Sequence, residues 1–202
     1  NQRPLDFGVD LVIHSATKYM GGHNDLMAGV VCGSAPLVDA IREYQRITGA
    51  VVDPHTSYLL IRGLKTMALR VERQNESAQA IAEFLERHHK IKKVWYPGLP
   101  SHPDHAIAAA QMRGYGGLIS FEIDGGLDRT KDFVHQLELP YIAPSLGGVE
   151  TLVSHPATVS YYDLSREERL AIGISDELVR YAVGVEEAEE LIADIERALA
   201  GV

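Results

Sequence analysis

The sequence predicts an α/β protein whose first third completes one sheet-and-helix domain and whose remainder forms an α+β layer. Two short apolar runs, Leu11-Val12-Ile13 within residues 9–13 and a second one at residues 28–32, are typical of strands that are covered on both faces. Residues 118–124 and 179–185 instead alternate apolar and polar side chains, which is the period of a half-exposed strand. With 202 residues, of which 46% are hydrophobic, the chain is long enough for one large or two small domains.

Helical periodicity follows the two apolar runs. From Pro36, apolar side chains recur at steps of three and four residues, and a second, shorter helix is expected at residues 57–62, before Gly63. A long helical pattern then begins near Met67 and ends in the polar residues 88–90. Its length indicates a connection between two domains, so we expect residues 1–68 in the first domain and residues 69–202 in the second.

The second part of the chain alternates strands with helices. Helices with one apolar face are expected at residues 127–137 and 186–199, each following one of the alternating strands. In the strand at 179–185, the alternation places Arg180 on the face opposite Val179 and Tyr181. This arrangement is an α+β layer with an arginine on its more polar face.

The composition of the chain excludes several classes of partner and site. The chain has 28 acidic and 19 basic residues, a net charge of −9, and no basic cluster with interleaved aromatics, so no nucleic-acid partner is expected. No apolar run approaches the ~20 residues of a membrane helix, and we expect a cytoplasmic protein without membrane contact. The single cysteine, Cys32, cannot form an internal disulfide. His102 and His105 have no apparent third ligand, so no metal site is expected either.

The densest group of chemically active side chains follows the first apolar run, where open α/β sheets bind their ligands. Ser15 and Thr17 flank the approach to Lys18, and two glycines follow that would let the backbone come close to a bound group. Hydroxyls donate to phosphate oxygens, and a partly buried lysine becomes a nucleophilic amine that can form a Schiff base. Pyridoxal phosphate (PLP) requires both functions side by side. The spacing alone is also compatible with a solvated surface lysine.

This pattern and further segments of the chain resemble one family of enzymes. Residues 15–19 and 22–25 resemble the cofactor-lysine signature of the Cys/Met-metabolism PLP-dependent enzymes. The likeness continues in the same order and covers essentially the whole chain, at residues 62–66, 94–99, 145–152, 173–175 and 178–180. It implies the PLP-dependent transferase fold type I, with residues 1–68 as the C-terminal part of the cofactor-binding domain and residues 69–202 as the C-terminal α+β domain.

The resemblance also implies a role for each candidate residue. Lys18 would hold the cofactor covalently and, once released by the substrate amine, would move protons among the substrate's α, β and γ carbons. Ser15 and Thr17 would bind the cofactor's phosphate or ring. Arg180 would bind the substrate carboxylate through its bidentate fork. Ser145 would lie beside that carboxylate and near Lys18, as a further catalytic and substrate-binding residue.

Other site residues of the family lie upstream of where this chain starts. They are an aspartate that pairs with the pyridine nitrogen, a glycine-containing phosphate loop, a tyrosine stacked on the ring and residues from a neighbouring subunit. We therefore expect a C-terminal half of a longer protein, and the resemblance implies a homotetramer with active sites near subunit interfaces. Because the pyridinium partner tunes the electron sink, the chain alone is expected to be a poor catalyst, and a non-catalytic fragment is one alternative.

Within the family, residues 140–148 and 160–164 are most similar to plant-type cystathionine γ-synthases. This implies γ-replacement in methionine biosynthesis, in which an O-activated homoserine loses its leaving group and cysteine adds to give cystathionine. Many bacterial γ-synthases and γ-lyases carry a glutamate where Pro144 stands, and the commoner family pattern has a histidine near Tyr161. The leaving group stays open, and a cystathionine or methionine γ-lyase is the alternative among small amino-acid substrates.

Overall fold

The chain begins with a two-stranded antiparallel sheet. In the computed structural model, which describes residues 1–202, a 3-10 helix at Pro4–Phe7 precedes β1 (Leu11–Ser15), which pairs with β2 (Gly29–Gly33). Two helices follow, α1 (Ala35–Thr48) and α2 (Pro54–Leu64). Asp53 begins α2, because its carboxylate accepts the backbone N–H groups of the first helical turn.

These first strands are less covered than the sequence predicts. Ile13 in β1 is 78% exposed and Met27, just before β2, is 84% exposed. Helix α1 contacts β2, yet none of its residues is buried. Cys32 is only half-buried. A continuous apolar run indicates that a strand belongs inside a sheet, but only a neighbouring element can cover it, and no element of residues 1–202 does so here.

The second part of the chain forms a five-stranded sheet in the order β3-β4-β7-β6-β5. Only β5 and β6 are parallel; the other neighbours are antiparallel. The elements in chain order are α3 (Met67–Arg87), β3 (Ile91–Trp95), α4 (His105–Gln111), β4 (Leu118–Ile123), α5 (Gly126–Gln136), β5 (Tyr141–Ile142), β6 (Leu152–Ser154), α6 (Arg166–Ala171), β7 (Leu178–Ala182) and α7 (Ala188–Ala200).

The hydrophobic core lies on one face of this sheet. Helices α3, α5 and α7 contact one another or the sheet there, and the ring of Phe121 in β4 meets the ring of Phe133 in α5 edge-on, with centroids 6.0 Å apart. Val179 and Tyr181 are fully buried in this core. Arg180 points to the other face, as the alternation predicts, and is paired in register with Ser120 of β4 and Ser154 of β6. Because its neighbours Val179 and Tyr181 are buried in the core, the position of Arg180 along β7 and the face to which it points are fixed.

The structure contains the helices and strands that the sequence predicts, within a few residues, and adds β3, β5, β6, α4 and α6. Strand β3 is a sheet edge whose pairing register shifts between Ile91 and Lys93, so its side chains do not alternate along the sequence. Strands β5 and β6 have two and three residues, which is too short for a period to show. None of the helices combines the length and the apolar character needed to cross a membrane.

A buried histidine follows the central strands. His155 lies directly after β6 and is only 2% exposed. Its Nδ1 lies 3.1 Å from the hydroxyl oxygen of Thr158, and its Nε2 lies 2.8 Å from the carbonyl oxygen of Asp176. The carbonyl oxygen can only accept, so Nε2 carries a proton and donates to it. Burial lowers the pKa of His155 below its ordinary value.

This histidine makes stability depend on pH. Because its folded-state pKa is lowered, the unfolded chain binds more protons below about pH 6.5, and the free energy of unfolding should fall as the pH drops through that range. We expect His155→Asn to reduce the slope of stability against pH between 7 and 5, measured by urea unfolding. His88, whose pKa is also lowered by burial, retains part of the slope. An unchanged slope in His155→Asn, matching that of the exposed-site control His135→Asn, would contradict this assignment.

Candidate active site

Lys18 lies in a series of tight turns that follows β1. Its backbone N–H donates to the carbonyl oxygen of Ser15 at 3.1 Å, and its carbonyl oxygen accepts the N–H of Gly22 at 2.8 Å. The N–H of Gly21 donates to the carbonyl oxygen of Ala16 at 2.8 Å, and Ala16 is fully buried. The backbone on both sides of Lys18 is thus fixed, and its side chain is half-buried.

The two hydroxyls beside Lys18 differ in their surroundings. Thr17 is tied to the residue before β2, because its Oγ1 accepts the N–H of Ala28 at 3.1 Å. This bond uses only the oxygen of Thr17, so the hydroxyl hydrogen stays available to a ligand. Ser15 is exposed at the end of β1. Both predicted cofactor-binding hydroxyls therefore lie at the lysine turn, and both can donate.

Folding brings the candidate residues from the far end of the chain to Lys18. Lys18 Nζ donates to Ser145 Oγ at 2.9 Å, across 127 positions of sequence. Arg180 donates from one terminal nitrogen to the carbonyl oxygens of Ser145, at 2.9 Å, and of Ala143, at 3.4 Å. The Nε of Arg180 is buried and has no partner in the protein. Burial lowers the pKa of this guanidinium, which nevertheless stays charged because arginine does not deprotonate in proteins.

The segment that carries Ser145 packs closely on the lysine turn. A Cβ added to Gly147 would lie 2.8 Å from the backbone nitrogen of Tyr19, and the φ of Gly147 is +79°, so only glycine fits without strain. Asn24 donates to the carboxylate of Glu150 at 2.9 Å. Sequence reasoning does not single out Tyr19 or Asn24 for this role, since nothing in their spacing shows which distant loop they meet.

The glycines after Lys18 serve the packing of the protein itself. The sequence suggests that they let the backbone approach a bound group, but a Cβ at Gly22 would lie 2.0 Å from the guanidinium of Arg70. The carbonyl oxygen of Gly21 faces Gly63, in the last turn of α2, where an added Cβ would lie only 2.2 Å from it. Arg70 therefore explains Gly22 and the lysine turn explains Gly63, whereas a Cβ at Gly21 would lie 3.0 Å from the carbonyl oxygen of Ala16 and 3.1 Å from the side chain of Leu26.

We expect Gly63→Ala to lower the free energy of unfolding by about 1–3 kcal/mol, the usual cost of an overpacked site. The added methyl group would meet two backbone oxygens of the lysine turn, and backbone cannot rotate away as a side chain can. The control is Gly29→Ala in β2, whose new methyl group would meet nothing closer than 3.9 Å. Chemical denaturation of both variants measures the difference; equal stabilities would show that the turn yields easily.

An open cleft of about 450 Å³ adjoins these residues. It is lined by Thr17, Asn24, Asp25, Leu26, Met27, Thr56 and Ser145. The side chains at hand fit PLP with an amino-acid substrate: a lysine amine reacts with an aldehyde, hydroxyls donate to a phosphate, and a guanidinium binds a carboxylate. The fold and these side chains define the class, an α/β protein with a site suited to Schiff-base chemistry on small anionic molecules.

Comparison with known proteins specifies the family. The family model described as Cys/Met metabolism PLP-dependent enzyme matches residues 1–200. The chain therefore belongs to this family, whose cofactor is pyridoxal phosphate, and the resemblance found in the sequence is confirmed.

Relatives within the family include both synthases and lyases. The chain is 54% identical over its whole length to cystathionine gamma-synthase 1, chloroplastic, of Arabidopsis thaliana, and covers 36% of that protein. It is 49% identical over 200 residues to an L-methionine gamma-lyase of Pseudomonas deceptionensis, with 98% of this chain and 50% of that protein covered.

A solved structure confirms the fold class. The crystal structure of cystathionine gamma synthase from Xanthomonas oryzae pv. oryzae, in complex with aminoacrylate and cysteine, matches with a TM-score of 0.93 at 42% identity. The match covers 98% of this chain and 52% of that one. The chain thus spans between about a third and a half of the length of these relatives.

Proposed function

We propose that the protein acts as a PLP-dependent cystathionine γ-synthase, which replaces the γ-substituent of an O-activated homoserine by cysteine. The observation that carries the proposal is the 2.9 Å hydrogen bond from Lys18 to Ser145, with Arg180 bound to the backbone of the same serine. Support comes from the 54% identity to the Arabidopsis thaliana synthase and from the likeness to the Xanthomonas oryzae pv. oryzae synthase in complex with aminoacrylate and cysteine.

Each residue has a defined part in this proposal. PLP, when bound, supplies the electron sink for carbanion chemistry. Arg180 binds the substrate carboxylate through its guanidinium, and so orients the carbon that loses its proton. Ser145 Oγ accepts a hydrogen bond from Lys18 Nζ, which aims the amine lone pair, and Lys18 takes up and returns protons on the substrate's carbons. Ser15 and Thr17 donate to the cofactor's phosphate or ring.

A γ-lyase is the second candidate function. The same three side chains suit the release of an α-keto acid and ammonia from cystathionine or methionine, and the 49% identity to an L-methionine gamma-lyase favours keeping this alternative. The two activities differ in whether an added thiol or a proton completes the reaction. Product analysis separates them: an O-activated homoserine with cysteine yields cystathionine only in a synthase, whereas cystathionine or methionine alone yields keto acid only in a lyase.

The first experiment is borohydride reduction of the full-length protein in the presence of PLP, followed by peptide mass mapping. We expect a stable adduct at Lys18 and none at Lys65, an exposed lysine next to α2. The same reaction on residues 1–202 alone shows whether this part of the protein binds the cofactor without further segments. A full-length protein without an adduct at Lys18 would overturn the proposed function.

Domain organisation, assembly and location belong to the same proposal. We place residues 1–68 in the cofactor-binding domain and residues 69–202 in the C-terminal domain, and propose a cytoplasmic homotetramer with active sites near subunit interfaces. Large apolar side chains that stay exposed in the first part support burial against further segments or subunits, among them Ile13, Met27, Tyr44 and Ile47. Sedimentation of the full-length protein tests the assembly, and a monomer that is fully active would contradict it.

A further inference from the structure

Helix α3 carries two buried polar side chains that lie four residues apart on the same face. Arg70 is 6% exposed and Gln74 is fully buried. Polar groups of this size are seldom buried unless they make specific hydrogen bonds, because burial without partners is costly. What the two side chains bind is therefore informative.

Arg70 holds the segment that carries Lys18. Its guanidinium donates to the carbonyl oxygen of Tyr19 at 2.9 Å, to that of Gly63 at 2.8 Å, and to Thr66 Oγ1 at 3.2 Å. All three acceptors are neutral, so hydrogen bonds rather than an ion pair hold the guanidinium of Arg70 in place. Tyr19 follows Lys18 directly, and Gly22 in the same turn leaves the space that the guanidinium fills.

Gln74 holds the segment that carries Ser145. Its Nε2 donates to the carbonyl oxygen of Gly148 at 2.7 Å, three residues after Ser145, while its Oε1 is buried and has no partner. The amide of Gln74 thus makes one short hydrogen bond to the loop, while its own oxygen stays without a partner. In a helix the four-residue spacing separates the two positions by about 6 Å along the axis. Because α3 also packs on β3, β4 and α7, this spacing is rigid.

We propose that Arg70 and Gln74 act together as positioning residues that set the distance between Lys18 Nζ and Ser145 Oγ. Arg70 fixes the lysine turn and Gln74 fixes the serine loop, so one rigid helix aligns two catalytic side chains that lie 127 positions apart in sequence. The inference rests on the proposed function, since it assigns a purpose to the alignment of Lys18 with Ser145.

The test uses Arg70→Met, Gln74→Met and the double variant of the full-length protein. Two quantities are measured: the rate at which added PLP becomes trappable by borohydride at Lys18 in the apoprotein, and the kcat and KM of the reaction. We expect each single variant to slow trapping and to lower kcat by about 100-fold with a smaller change in KM, because a misplacement of about 1 Å has that effect. Since both residues set the same distance between Lys18 Nζ and Ser145 Oγ, the double variant should be no slower than the slower single variant.

Matched controls lie on the same helix. Arg73→Met removes an arginine that pairs with Glu187, and Gln79→Met removes a partly buried glutamine that contacts Glu83 and Gly98. Both should trap PLP at Lys18 at the rate of the unmodified protein. Arg70→Lys keeps a cation at the site and should recover part of the rate, and it carries the test if Arg70→Met does not fold.

The outcomes separate the two proposals. An unmodified protein without a Lys18 adduct would overturn the proposed function itself. A normal Lys18 adduct in the unmodified protein, together with variants that match the helix controls in trapping and kcat, would overturn the positioning role alone. Losses that multiply in the double variant would show that Arg70 and Gln74 stabilise separate parts of the structure and would also overturn it.

Discussion

Lys18→Met should abolish turnover in the full-length protein, with a loss of about 10⁴-fold or more in kcat. The substitution keeps the length of the side chain but removes the amine that, under the proposed function, would react with the cofactor's aldehyde and transfer protons. Proton transfer by a positioned group alone is worth about 10²–10⁴-fold. Turnover of an O-activated homoserine with cysteine, followed by the appearance of cystathionine, measures the loss.

Two comparisons give this prediction its specificity. Lys65→Met removes an exposed lysine outside the cleft and should leave kcat unchanged. Lys18→Met also removes the hydrogen bond to Ser145 Oγ, which could lower stability. A variant that stays folded but is inactive shows that the lost activity comes from lost chemistry and not from unfolding. Turnover within about 10-fold of the unmodified protein would mean that another group supplies the amine.

Arg180→Met should lower kcat/KM by about 100-fold or more, mainly through KM. Removing one partner of a buried, hydrogen-bonded charge pair costs about 2–5 kcal/mol, and the pair proposed here is Arg180 with the substrate carboxylate. Arg180→Lys retains the charge but not the planar fork, so it should recover only part of the loss.

Arg180 also holds the carbonyl oxygens of Ala143 and Ser145, so a structural effect has to be separated from lost binding. A substrate analogue without the α-carboxylate provides the separation. It should react equally slowly with the unmodified protein and with Arg180→Met if the arginine acts by binding that carboxylate. A further loss with this analogue in the variant would show that Arg180 acts chiefly by holding the serine loop.

The candidate residues themselves were accessible to sequence reasoning because their chemistry is local. Lys18 with Ser15 and Thr17 stands out as an amine beside hydroxyls at a strand end, and Arg180 stands out as a charge in an alternating strand. Arg70 and Gln74 could not be found in this way. Their residue types are ordinary for a helix surface, and their importance appears only when the helix is seen to face two loops from distant parts of the chain.

The sequence by itself determined the family, the α/β class, the long helix α3 and the strands β4 and β7, since periodicity and local motifs depend on near neighbours in the chain. Tertiary structure decided the 2.9 Å approach of Lys18 to Ser145, the glycines that admit Arg70 and α2, and the short strands β5 and β6. It also decided that β1 and β2 stay partly uncovered within these residues. The physical reason is the same throughout: a pattern shows which face of an element seeks a partner, whereas contacts between residues far apart in sequence exist only once the core has fixed where those elements meet.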